Sequence, residues 1–504
     1  MSKFPSLSQR GFVMPTRLKA SAYDAGGGGG GRGKSWKVSG AGPNAAATQN
    51  LALMRSRARA AIRNDPWAKA AIHRLVTNTI GTGIQPHPKH SDEKIRAAQK
   101  LLWKDWLPDG DADGLLDFYG QQTLAARAFF SDGEVFARRR LRPLSEGLAV
   151  PMQVQVLEAD MLPVEKNEVL ANGSEIISGI EYDADGRRAA YHFLRRHPGE
   201  YNRMSAGVGL TVRVPADEVV HVFQPLRPGQ VRGVPELSTV LLRLHSLDNF
   251  DDAVLFRQEV SNLFAGFITK PSTPASGPPV DGLTGAPVEF DADGFSPFVS
   301  LEPGSMSELG PGEEVSFAEP PGAGTDYAPF MRQQLMAAAA SVGMPYEVLT
   351  GDLRDVSDRV LRVLLNEFRR GLEQLQWNLF IHQFCRVVWR WWVDAAALAD
   401  SMPMPNYYTR RREYLRAEWV PQGWPYIHPV QDVTANQMAV RSGFTSRSAV
   451  VLKGGDAPEV VEEEAEADNR RADARGLRYD TDLRWQNPVD RNLKSNKGND
   501  DEES

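Results

Sequence analysis

The 504-residue chain predicts an α+β fold, helix-rich, with its strands gathered in one block instead of alternating with helices. Three observations carry this. Apolar residues recur at three- and four-residue spacing over residues 51–132 and again after Val234. Between those stretches, residues 134–224 fall into short β-prone runs separated by Gly, Pro, Asn or Asp. A composition of 41% hydrophobic and 24% charged residues is ordinary globular material, and the length allows about two to four domains.

Taken in order, "AGGGGGGRGKS" (25–35) reads as a flexible linker, since such composition cannot bury a core. "LALMRSRARAAIRNDPWAKAAIHRLVTNTIG" predicts helix, broken or kinked at Asp65-Pro66 and ending at Gly81. "DEKIRAAQKLLWKDWL" is a second amphipathic helix, and "DFYGQQTLAARAFFSDG" a third, closed by Asp132-Gly133. The runs "EVFARRRLR", "VPMQVQVLEA", "EIISGIEYD", "RAAYHFLRR", "GLTVRVP" and "DEVVHVFQP" predict a mixed or antiparallel sheet packed on those helices.

From Val234 a helical stripe of Leu237, Val240, Leu241, Leu244 and Leu247 begins. The Pro/Gly-rich interval that follows is too long for a simple loop and predicts a small β-containing insertion. "DYAPFMRQQLMAAAASVG" is the helix on its far side, stopped by Gly343 and Pro345. Val360, Leu361, Leu364, Leu365, Phe368, Leu372 and Leu375 mark one long helix, Val356 to Leu398, which would span about 60 Å. The aromatic segment 407–431 folds back on the body; "DVTANQMAVRSGF" and the Glu-then-Arg stretch after Asp456 are further helices, the latter exposed. The last residues have a disordered composition.

Composition excludes several classes. The formal net charge of -6 gives no global basic field. The single cysteine, Cys385, excludes an intramolecular disulfide and a cysteine-based zinc site, and reads as a small buried hydrophobe. The N-terminal residues have no apolar core of signal-peptide length, and the most apolar stretch, Leu379 to Leu398, is interrupted by His382, Arg386, Arg390 and Asp394.

Two motifs match without their contexts. Gly28 through Gly33-Lys34-Ser35 spells a P-loop, but no buried strand precedes it, and Gly40, Gly42 and Pro43 would break the helix that should follow. In "DGDADGLLDFYG", Asp109, Asp111, Asp113 and Asp117 occupy calcium-loop positions, yet the twelfth, which should be Glu, is Gly120. An acidic turn with Asp117 capping the next helix explains these residues more simply. The nine histidines show no metal-ligand spacing, and no nucleophile elbow occurs, so no catalytic residue, cofactor or metal is assigned and the chain is not read as an enzyme. Basic clusters at Arg138–Arg142, Arg410–Arg416 and Arg354–Arg370 read as solvated faces. The third lies at a junction between helices, where a loop can project its arginines.

The chain resembles the lambda-like family of portal proteins of tailed bacteriophages. The carrying residues are "RNDPWAKAAI" with "NTIGTGIQP" (Arg63–Pro86), "DFYGQQ" with "DGEVFARR", "VPMQVQVLEAD", and "RVPADEVVHVFQPLRPGQVRGVPEL" (Arg213–Leu237). The match continues at "FAGFITK", "LEPGSMSELGPGEEVSF", "GMPYEVLTGD" (Gly343–Asp352) and "NEFRR", spanning about residues 50–455. The resemblance implies a ring, of twelve copies in this family, at the capsid portal vertex of the virion, assembled in the bacterial cytoplasm. Its implied partners are double-stranded DNA in the channel, large terminase, head-tail joining and completion proteins, and major capsid and scaffold proteins, with no membrane. It implies a flexible arm (1–49), wing (50–233 and 400–445), stem helices (234–267 and 325–344), clip (268–324), tunnel loop (345–358), long helix (359–399), crown helix (446–478) and tail (479–504). On the tunnel loop, Arg354, Ser357, Arg359 and Arg362 would face DNA. The chain departs from the family's aromatic-Ser-Ser pattern with Val356-Ser357-Asp358, and Asp355 and Asp358 offset part of the arginine charge. The competing readings are a P-loop packaging ATPase and a non-portal capsid or scaffold protein.

Overall fold

The structure is a computed structural model describing residues 39–171, 173–200, 210–263, 267–269, 314–316, 327–354, 356–479, 482 and 484. The glycine run and Lys34 lie outside the described residues, as do Asp355 and most of 268–324.

Helices Leu51–Asn64 and Pro66–Ile80 meet at Asp65, whose carboxylate accepts from the amides of Trp67 and Ala68. The break is therefore a new start: Pro66 sits at the first helical position, where its missing N–H costs nothing. The same logic corrects the flexible-arm boundary. Pro43 opens a short helix, Pro43–Thr48, that is pinned because Asn44 bonds Gly229 O at 3.1 Å and accepts from Val231 N at 2.9 Å. Helix Glu93–Trp106 buries Ile95, Gln99, Trp103 and Trp106, one stripe at helical spacing. Helix Phe118–Asp132 is capped by Asp117 and ended by left-handed Gly133.

The block 134–224 resolves into two antiparallel sheets. Strand Glu134–Leu141 is the centre of a three-stranded sheet, flanked by Met152–Leu157 and Val219–Phe223. A five-stranded meander uses Glu168–Val169, Glu175–Ile177, Ile180–Tyr182, Arg188–Leu194 and Thr211–Pro215. Alternation along the central strand serves two cores. Val135 and Ala137 join the helical core, whereas Phe136 packs with Ile180, Tyr191, Phe193 and Val214 of the meander. Strand Gln85–Pro88 pairs with Ala417–Val420, so the aromatic C-terminal segment does fold back on the body.

The long helix runs from Asp358 to Leu398 and contains a π-helical segment, Gln376–Cys385. Its C-terminal half carries the core: Trp389 and Trp392 stack at 4.9 Å, and Trp103 lies 5.2–5.3 Å from both. Cys385 is buried there, with its thiol pushed up by burial. The N-terminal half differs from expectation. Only Phe368 and Leu372 of the apolar stripe are buried, and Val360 is 50% exposed, because this end projects past the body.

Helices Leu241–Leu263 and Tyr327–Ser341 form an antiparallel hairpin, joined by Tyr327 Oη to Asp251 at 2.8 Å, Phe250 on Phe330, and Arg243 to Gln334 at 2.9 Å. The first begins after a 3₁₀ turn, Glu236–Thr239, not at Val234. At its far end, strand Phe267–Thr269 pairs antiparallel with Glu314–Ser316, bringing together the two ends of the inserted segment. The expected single crown helix is two, Arg447–Gly454 and Pro458–Ala474, divided by left-handed Gly455. Among the described residues, no helix is long and apolar enough to cross a membrane.

Candidate nucleic-acid interface

The junction between the hairpin and the long helix is not all loop. Tyr346–Thr350 is a short helix ended by left-handed Gly351. Asp352 then organises the turn. It accepts from Arg354 N at 3.2 Å, from Arg354 Nε and Nη2 at 2.8 Å each, and from Tyr346 Oη at 3.2 Å. The bidentate Arg354 contact holds its carboxyl well below the usual carboxylate range.

Each expected site residue has a distinct setting. Arg354 is exposed, and its charge is opposed by Asp352. Ser357 is the N-cap of the long helix, accepting from Val360 N at 3.4 Å. Arg359 is exposed and Arg362 half-buried, on the side of the helix away from the apolar stripe; neither has an ion pair among the described residues. Asp358 is engaged with His428 Nε2 at 2.5 Å. Further along, Arg369 lies over the Trp424 ring at 5.6 Å and Arg370 pairs with Glu367. The structure therefore brings Arg359 and Arg362 together as a basic pair and assigns Ser357 a capping role.

Members of the other basic clusters are paired on the surface of the fold. Arg139 meets Glu218 at 3.7 Å, and Arg142 bonds Gln153 at 2.6 Å. Arg411 is bidentate on Asp394, and Arg410 bonds Glu413. The acidic turn is occupied by protein donors: Asp111 accepts from the amides of Asp113, Leu115 and Leu116 and from Gln121 Nε2.

Sequence reasoning missed a buried charge cluster that explains the most specific motif. Glu134 is fully buried and accepts from Arg55 Nη2 at 2.6 Å, Arg232 Nε at 2.7 Å, Gly233 N at 2.8 Å and His221 Nε2 at 3.1 Å. Burial alone would raise its carboxyl, but the two guanidiniums hold it well below the usual range. Arg232 also donates to the carbonyls of Ser178 and Leu162, tying the meander to the central strand. Gly233 packs so closely on Gly133 that an added Cβ would lie 2.0 Å from the Gly133 oxygen. The available signal was charged residues inside apolar runs, Glu134 after "DG" and Arg232 before Gly233.

The chain is similar to known proteins. The family model for phage portal proteins of the lambda family matches residues 29–376. The probable portal protein of Halomonas phage phiHAP-1 is 27% identical over 437 residues, covering 84% of this chain and 81% of that protein. Portal protein B of Escherichia phage lambda is 20% identical over 462 residues, covering 84% of each. A chain in a solved neck of a native gene transfer agent particle, analysed with C12 symmetry, is 13% identical. It covers 81% of this chain and 94% of that one, with a TM-score of 0.43.

The family model covers more than half of the chain, and its class is one of structural virion components, not of enzymes. The chain belongs to the lambda family of phage portal proteins.

Proposed function

We propose that this portal protein forms the ring at the unique capsid vertex through which double-stranded DNA is packaged and later ejected. The terminase supplies ATP hydrolysis; the portal guides, retains and releases the duplex. The observation that carries this reading is the helical hairpin, 241–263 with 327–341, whose far end gathers both ends of the 268–324 insertion. A rigid pair of helices presenting one insertion per subunit suits a circular docking platform. In this reading the hairpin is the stem, the insertion is the clip that engages terminase and later the head-tail joining proteins, and residues 446–478 form the crown.

Arg359 and Arg362 are the side chains proposed to reach phosphates, since Arg354 is opposed by Asp352. Such contacts are independent of base sequence and screened by salt, which suits a duplex that must slide. Negative-stain microscopy of the purified protein tests the assembly: rings with a central hole and about twelve-fold averages are expected for this family. Monomers that hydrolyse ATP, with the activity lost on Lys34→Ala, would instead establish a packaging ATPase. Deleting residues 268–324 is expected to abolish terminase binding, and intact binding would favour a non-portal capsid role.

A further inference from the structure

Where the long helix leaves the body, a groove runs between it and the end of the hairpin. It consists of two adjoining hollows of about 420 and 460 Å³ that share Gly343, Phe368, Gly371 and Gln374. Glu236 lines one hollow and Leu364 the other.

Two features of this groove are not accounted for by contacts among the described residues. Gly371 lies in the interior of helix Asp358–Leu375, where glycine costs about 1 kcal/mol relative to alanine. A Cβ there would meet nothing within 4 Å, so no contact among the described residues requires its absence. Glu236 is half-buried, its carboxyl is pushed up by burial, and it has no cationic partner among the described residues. A carboxylate so placed is costly until a cation meets it. Beside the groove, Leu353, Val360 and Val363 are 55%, 50% and 64% exposed, apolar surface left over at the same end of the helix.

We propose that this groove seats a second copy of the chain, whose backbone approaches the long helix at Gly371 and whose exposed arginine or lysine pairs with Glu236. This rests on the ring reading. The complementary charge is present: Arg63 and Lys69 are exposed, have no ion pair among the described residues, and do not line the groove. An acid in a groove and cations on a different surface make a head-to-tail contact, the kind that closes into a ring. Glu367 on the groove wall is neutralised by Arg370 beside it, which leaves the acid Glu236 as the uncompensated charge and disfavours a nucleic acid as the occupant.

The test uses the full chain with Gly371→Leu, whose Cβ meets no described atom within 4 Å and which raises helix propensity. The dissociated variant should melt no lower than the wild type by circular dichroism. At concentrations where the wild type forms rings, native mass spectrometry should find the assembled fraction reduced at least roughly tenfold. Glu236→Gln, which leaves the helix untouched, should raise the concentration for half-assembly by roughly tenfold and decides the matter if the leucine variant unfolds. Both variants assembling as the wild type does would overturn the proposal and leave the ring reading standing. A wild type that never assembles would sink the ring reading itself. Normal rings from the leucine variant that then fail to package DNA would mean that a different protein occupies the groove, which also overturns it.

Discussion

Arg232 and Glu134 form an ion pair from which solvent is excluded on both sides, with 0% exposure of each side chain and 2.7 Å between Nε and Oε1. The pair joins the start of the central strand to the segment that leads into the hairpin. Arg55 reaches the same oxygen from the first long helix, so three separate parts of the chain converge on one carboxylate.

Removing that carboxylate's charge strands two buried guanidiniums. Glu134→Gln is expected to cost about 3–5 kcal/mol, the usual consequence of breaking a buried pair from one side. Urea unfolding of the dissociated subunit measures it. A destabilisation of less than about 1 kcal/mol would show that the cluster does not carry the weight its burial implies.

The same cluster sets an acid limit. Burial pushes His221 down to about 4 from its ordinary 6.5, against the opposing hydrogen bond that its Nε2 donates to Glu134. Between pH 6.5 and about 4 the unfolded chain therefore binds a proton that the folded chain refuses, and stability falls as pH falls through that window. Glu134, held well below its ordinary 4.5, further lowers stability as pH falls below 4.5, where the unfolded chain takes up a proton that the folded carboxylate refuses. His221→Gln keeps a donor for Glu134 and should flatten the profile above about pH 4.5. An unchanged slope there would assign the titration elsewhere.

Asp111 is satisfied by three backbone amides and Gln121, so the acidic turn needs no cation. Calcium and chelator should leave the melting temperature unchanged. Asp111→Ala should cost about 1–3 kcal/mol through the stranded donors. A calcium-dependent rise in melting temperature would restore the cation-loop reading.

Ser357 can be separated into its capping and DNA-facing roles. Ser357→Asp preserves an N-cap and places a negative charge where the helix dipole favours it, so stability should hold within a few tenths of a kcal/mol. If the junction faces DNA, the same change should weaken retention of the duplex, most strongly at low salt. Arg362→Ala should lower the salt slope of binding by about one, the increment for a guanidinium that neutralises a single phosphate. Retention unaffected by either variant would place the channel surface elsewhere.

Much of this molecule was legible locally. Asp65-Pro66, Asp117 and Gly133 act at helix ends as their residue types dictate, and the strand runs of 134–224 form where the turn residues separate them. Periodicity also located the long helix, because its apolar stripe persists whether or not every position is covered. It could not say which half of that stripe is buried. Phe368 and Leu372 are enclosed and Val360 is not, which depends on where the body ends.

Neighbouring residues and composition were enough to fix most element types, the family motifs and the exclusion of an intramolecular disulfide, which one cysteine cannot form. Folding in three dimensions is what explains why Glu134, Arg55, Arg232 and His221 stand where they do, for they meet across separations of 79, 98 and 87 residues. It also decided that Arg354 is opposed by Asp352 while Arg359 and Arg362 are not. Side chains at such junctions choose partners by direction and distance, which spacing along the chain does not encode.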